Sequence, residues 1–535
     1  MKRMIVLSIL VTPLFIANAV TTNVWTNGSG DFLFSTAGNW SGEAVPSNGA
    51  VLSFPSGGNV TNDLSQLEVG GLAVGSSNAF VMNGEPLVIQ TSAGLEGSSG
   101  DVTFNNAIEL PSGEHVFKLE GELSFVGRLN GSGNIEVVCS KGKTLSFVGD
   151  KPDYTGNIWA TNSVMTTKGG HQYSMTGKGN EVHVYRWKIF NNGNRLSSNL
   201  FIYENTGSTS AQGIYDYCGA TGLYGNLTLM GGTRFYRNNT GDAFFINGKV
   251  RLNGFLYPEI PNIGVKFAFN DVVVQSASDQ GFYTTGKGVG TYTFNAAGND
   301  FSRFDLHGGG GHVVFTKANA MPQNGYVYFS APTSGESAFD ASLTVAGDQT
   351  CLDIRGENSA EDPNAHYFVR ASETSTITMK GNWDRGFYGS LDGPLSLIWS
   401  PTADKCYRLG SATAVNTMSG TLGVTAGSMV LTAGQSYPNL SEILVDGTAT
   451  LTIPAGVSIN PTLTKITVGP KAHLVLEEGV SLTPDYFYVG MDMMWKNKTY
   501  TGADGVPTAK QIAQITGAGT VTPRKGRSGL ALFFR

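Results

Sequence analysis

The residues of this chain that could do chemistry stand in small, scattered groups. Asp305 and His307 alternate with Phe304 and Leu306, so a strand that buries the two apolar side chains turns the acid and the imidazole outward together. A carboxylate beside a histidine can move protons, but work on a glycosidic bond needs a second carboxylate, or an Arg or Lys, converging from the next turn of chain. The neighbouring sequence supplies no such partner, and no catalytic residue is expected. His307 and His312 lie five apart without a nearby Cys or paired carboxylate, which is not a zinc spacing. They read as loop histidines, and neither a metal nor a cofactor is expected.

Two patterns imitate catalytic motifs and fail on context. Gly142-Lys143-Thr144 ends like a phosphate loop, yet Val137 occupies the place of the first glycine and an alternating strand pattern follows where a helix should. His307-Gly308-Gly309-Gly310 is similar to a lipase oxyanion segment, but the chain has no Gly-x-Ser-x-Gly elbow. Tyr215, Tyr217, Tyr224, Phe235 and Tyr236 cluster in a loop-rich stretch and could either stack on sugar rings or pack inside. Cys139, Cys218, Cys351 and Cys406 are widely spaced and expected to be incidental, although an oxidising compartment would permit a disulfide.

The elements that must position any such group are set by a repeat. With Glu442 to Pro461 laid over Lys465 to Pro484, a shift of 23, eight of twenty positions are identical, among them Ile443 with Ile466, Val445 with Val468, Leu451 with Leu474 and Gly456 with Gly479. Within the unit, Ile443 and Val445, then Ala449, Leu451 and Ile453, then Val457 and Ile459 alternate with other residues, which is the period of a half-buried strand. Asp446-Gly447, Pro454-Ala455-Gly456 and Asn460-Pro461 supply the corners. Three strands and three corners in 23 residues describe one rung of a parallel β-helix, whose inward row is buried only when rungs stack. Upstream the shift is 22, placing Met429 on Leu451 and Ser436 on Ser458.

Composition agrees. Only 14% of the residues are charged and 71 of 535 are glycine, a chain poor in helix formers and rich in corners. Lys2 and Arg3 precede an apolar run to Ile16 that ends in Ala17-Asn18-Ala19, so a secretory signal peptide is expected over residues 1–19, cleaved before Val20. Its loss takes the formal net charge from -6 to -8 and leaves no basic run, which argues against nucleic acid as a partner. No later stretch is apolar for the length a membrane helix needs, so the mature chain is expected to lack a transmembrane segment.

Some residues also carry a family likeness. Leu129-Asn130-Gly131-Ser132-Gly133, then Lys141 to Gly149 and Tyr154-Thr155-Gly156, resemble the autotransporter-associated β-strand repeat, and Gly290 to Phe301 is similar to a second copy. Trp25-Thr26-Asn27-Gly28-Ser29-Gly30-Asp31 with Asn39-Trp40 and Pro46 resembles the leader that often opens such proteins. Lys143 stands where the repeat has Gly and Asp153 where it has Asn, and too little chain follows Pro484 for a translocator barrel. The resemblance implies an exported, passenger-like β-helix.

The expectation is therefore an all-β chain, a single long right-handed parallel β-helix with rungs of about 22–23 residues. N-terminal rungs fill 20–162, a less periodic, loop-rich region 163–282, further rungs 283–485, and a cap 486–535 that includes a short helix over 505–515. Its expected role is structural or adhesive at the cell surface, without catalysis, and its expected partners are surface polysaccharide or other copies of itself. Carbohydrate binding is the alternative, with the loops of 163–282 as the place for a groove, and a polysaccharide lyase or glycoside hydrolase on the same fold comes behind it.

Overall fold

The computed structural model describes residues 21–528 except 141–142, 149–152, 162–163, 169–180, 186–187, 192–194, 197, 204–212, 217–221, 238–242, 260–263, 285–288, 307–310, 331–338, 357–364, 413 and 504–508. The expected signal peptide and its cleavage residues Ala17, Ala19 and Val20 lie outside the described residues, as do His307 and Cys218. Parallel sheets stack as a β-solenoid of about 16 turns. Among the described residues the only helical element is the 3-10 turn Ala37–Asn39, and no helix is long and apolar enough to cross a membrane. The chain divides into two compact units, 1–163 and 164–535.

In the first unit the inward rows follow from strict alternation. Phe80, Val102, Leu123 and Leu145 are successive partners in one sheet, and beside them Phe104, Phe125 and Phe147 stack with ring centroids 5.6 and 5.5 Å apart. The leader-like opening closes the first rung. Trp25, Phe34, Trp40 and Phe54 form one buried ring cluster, with the Trp40 indole N–H donating to the Phe34 carbonyl at 2.9 Å. Asp31 holds the loop over that cluster. It accepts hydrogen bonds from Thr36 at 2.7 Å, from the Leu33 N–H at 3.1 Å and from Asn39, and these bonds hold its carboxyl below the usual range.

In the second unit the same rule runs further. Phe267, Tyr292, Val313, Leu343, Val369 and Leu391 are rung-to-rung neighbours across one sheet and all are buried. The region 163–282, expected to carry hairpins, keeps the parallel register: Leu200, Leu227, Val250 and Val273 follow one another at separations of 27, 23 and 23 residues. The extra residues are absorbed at corners, so the rows stay aligned. One corner carries side-chain amides in a row, Asn295 donating to Asn270 at 2.7 Å and Asn270 to Asn247 at 2.6 Å.

The 23-residue register near the C-terminus is as expected. Leu451 pairs with Leu474 and Ile443 with Ile466, while Met429 sits on Leu451. The expected helix over 505–515 is not there. Residues 504–508 lie outside the described residues, but Lys510–Gln511 is a strand beside Tyr500–Thr501, and Ile515–Thr516 is a strand on Leu474–Val475. The physical reason is the ladder itself: Leu474 offers an apolar step and unpaired backbone groups, and extending Ile515 over it satisfies both. The antiparallel pairs Tyr488 with Met493 and Tyr500 with Val521 complete this cap, and Asp485 ties it down through Lys525 and Arg524, each at 2.8 Å.

Candidate functional site

The outward residues of four neighbouring strands in the second unit build a polar groove. Arg303–Leu306 turns Phe304 and Leu306 inward, so Arg303 and Asp305 face out; Tyr326–Phe329 buries Val327 and Phe329 and presents Tyr326 and Tyr328; Asp353–Gly356 buries Ile354 and presents Asp353 and Arg355. Register then sorts the chemistry into two columns. Arg303, Tyr326 and Asp353 form one, and Asp305, Tyr328 and Arg355 the other, so the charge order reverses across a tyrosine in each. Asp384, Arg385, Tyr388 and Arg408 extend the walls, giving a volume of about 650 Å³, within the roughly 300–1,000 Å³ usual for small-molecule sites.

The guanidinium groups are held from below. Arg355 makes a two-pronged pair with Asp353, Nη2 to Oδ2 at 3.1 Å, and lies 3.6 Å over the Tyr326 ring. Arg303 lies 3.5 Å from Asp305 and 4.5 Å over the Phe255 ring. A planar fork fixed on one edge and stacked on one face keeps its remaining N–H donors aimed in a set direction. Trp383 stands beside the groove with 58% of its surface exposed, its ring centroid 5.8 Å from the Arg385 guanidinium carbon.

The expected outward pairing of Asp305 with His307 is replaced by a different arrangement. Asp305 does leave the core, as the alternation required, but it is 4% exposed beneath Arg303, and His307 lies outside the described residues. The sequence reading found no second carboxylate; the stacking supplies Asp353 two rungs on. It also found no basic cluster, whereas Arg303, Arg355, Arg385 and Arg408, separated by 52, 30 and 23 residues, line one groove. The usable signal was the alternation of Arg-x-Asp, Tyr-x-Tyr and Asp-x-Arg in strands that must stack.

Elsewhere the structure distributes the other candidates. His312 bonds Ser342 at 2.8 Å, and no group of three or more potential metal ligands occurs among the described residues. Phe235 is buried against Phe244 and Phe267 at 5.1 and 5.5 Å, a core residue; Tyr224 is 41% exposed; Tyr217 and the side chains of Tyr215 and Tyr236 lie outside the described residues. Cys139 and Cys351 are buried, and neither Cys351 nor Cys406 is in a disulfide. Burial pushes the Cys351 thiol up, with the Asp353 charge adding to the effect, which leaves it inert. Thr144–Val148, after the imitation phosphate loop, is a strand.

Convergent carboxylates and cations in a groove are also what a hydrolase or lyase uses, so their accessibility decides the chemistry. Asp353 has no exposed surface and lies under Arg355, and Asp305 is buried under Arg303, so neither can reach a glycosidic oxygen. Asp384 is exposed, but its Oδ1 accepts the Cys406 N–H at 2.8 Å. The carboxylates orient arginines. Burial pushes the Asp353 carboxyl up, and Arg355 and Arg385 pull it back only in part. Because the folded chain then holds this proton more tightly than the unfolded chain, the stability gained is present below about 3.8 and declines as pH rises through the higher folded value. The advantage of wild type over Asp353→Asn in thermal melting should shrink as pH rises from that point. An advantage that grows with pH would show the ion pair to be the stronger influence.

The chain matches no known protein family, no curated protein and no solved structure.

Proposed function

We propose that this chain is an exported β-solenoid of the cell surface that binds saccharide without turning it over. The observation that carries the reading is the pairing of an exposed Trp383 with a groove of oriented polar groups, since an indole face stacks on the apolar face of a sugar while fixed donors and acceptors meet its hydroxyls. Buried carboxylates beneath their arginines support binding over acid–base chemistry. Residues 1–19 support export, and the likeness to autotransporter-associated repeats supports display by a passenger-like solenoid.

Isothermal titration of the mature protein against pectin, alginate, glycosaminoglycan and fucan fragments tests the binding. Trp383→Ala should weaken the affinity for whichever saccharide binds by roughly 3- to 10-fold and leave thermal melting unchanged, as expected for loss of one stacking face. Sustained release of reducing or unsaturated ends in the same mixtures would overturn the non-catalytic reading, and an exported protein still carrying Met1 by mass spectrometry would overturn cleavage.

A further inference from the structure

We propose that the groove selects an anionic saccharide and that Arg385 and Arg408 are the cations that select it. This deepens the saccharide-binding reading and rests on it. The four arginines of the groove are not equivalent. Arg303 and Arg355 each face a carboxylate on their own strand, Asp305 and Asp353, and so bring little net charge to a ligand. Arg385 and Arg408 are exposed, and among the described residues neither has a carboxylate within ion-pair distance. The contact that Arg385 does make is to the Asp384 carbonyl at 3.2 Å. Two charged forks are therefore left open to solvent.

Their placement suits a polymer. Gly386 is paired in register with Arg408, so Arg385 and Arg408 lie on adjacent rungs, about 4.8 Å apart in backbone, close to the length of one pyranose ring. Gly386 keeps the floor low between them: a Cβ there would stand 3.0 Å from the Arg408 carbonyl oxygen. Counting Asp305, Asp353 and Asp384 against the four arginines, the groove is cationic in a chain whose net charge is -6. That local sign would draw an anion to this one place on an otherwise repelling surface. Trp383 beside the cations requires a ligand with an apolar ring face, which a sugar acid or sulfated sugar has and a free inorganic anion lacks. Asp384, with one oxygen on the Cys406 N–H, offers the other to a sugar hydroxyl.

The test uses the full mature chain and two matched pairs of probes: polygalacturonate with its fully methyl-esterified form, and dextran sulfate with dextran. At least one anionic member should bind about tenfold or more tightly than its neutral counterpart, and which one it is tells carboxylate from sulfate. The double variant Arg385→Ala/Arg408→Ala should lose about tenfold or more of that affinity and most of its salt dependence, with unchanged melting. Arg385→Lys/Arg408→Lys should keep the salt dependence and recover part of the affinity, since charge remains and the fork is lost. Equal binding within both pairs, or a double alanine variant that binds as wild type, overturns the anionic assignment while saccharide binding stands. Single-stranded DNA binding as tightly as the glycans also overturns it, as a site for charge alone. No binding of any saccharide defeats this inference together with the reading beneath it.

Discussion

Leu451→Asp is expected to melt the C-terminal rungs and leave the rungs far upstream folded. Leu451 has no exposed surface and stands in a dry column between Met429 and Leu474, with Ile515 of the cap beyond. Removing the leucine alone would cost about 2–5 kcal/mol, and the carboxyl that replaces it has no partner in that column, adding several kcal/mol more whether it ionises or takes up a proton. The sum is comparable with the whole stability of an ordinary domain, about 5–15 kcal/mol. A solenoid does not share that loss evenly, because each rung is coupled only to its neighbours. Hydrogen exchange should therefore show full exposure around Ser428–Leu431, Thr450–Ile453 and His473–Leu476 and retained protection in the strands of residues 290–345. Solubility and melting equal to wild type would mean that Leu451 is not in a buried column at all.

Phe294→Ala should be the second most damaging change, and it should reach the groove. The Phe294 ring lies 4.8 Å from Phe269 and 5.0 Å from Phe315 along the stack, with Phe282, Phe301 and Phe304 around it at 5.5, 5.6 and 5.9 Å. Five rings pressed on one side chain cannot all move in to fill the space it leaves, so the cost should lie at about 3–5 kcal/mol in urea unfolding. Phe304 is the inward residue between Arg303 and Asp305, and a shift of its ring tilts the strand that carries both. Saccharide affinity should fall along with stability, although Phe294 touches no ligand. A loss under about 1 kcal/mol would mean that the rungs collapse onto the cavity, which close packing of this kind opposes.

How much of this was legible in the sequence depended on distance along the chain. The pairing of Leu451 with Leu474 was open to inspection, because corners of constant length keep identical residues at a constant shift. Between Leu200 and Leu227 a corner takes up four more residues than the next ones do, and that is enough to hide a register from any fixed-period comparison while the backbone still restores it. The segment ending at Ile515 misled for another reason: good helix formers with isoleucines three apart carry a weak local preference, and an open sheet edge outweighs it. The groove was hidden because its arginines become neighbours only through stacking. No window that holds Arg303 and its own surroundings contains Arg408, and the pairing of Asp353 with Arg355 looked like two polar residues on any solvated strand.

The asparagine row at one corner has a mechanical consequence. The amide bonds from Asn295 to Asn270 to Asn247, the backbone bonds between parallel strands and the stack of Phe269, Phe294 and Phe315 all run from rung to rung. Tension applied along that direction loads them one rung at a time, so the second unit would yield in steps. Each step frees some 22–23 residues, turning about 4.8 Å of folded thickness into roughly 75 Å of slack chain. A tether built this way answers shear by paying out length before it lets go.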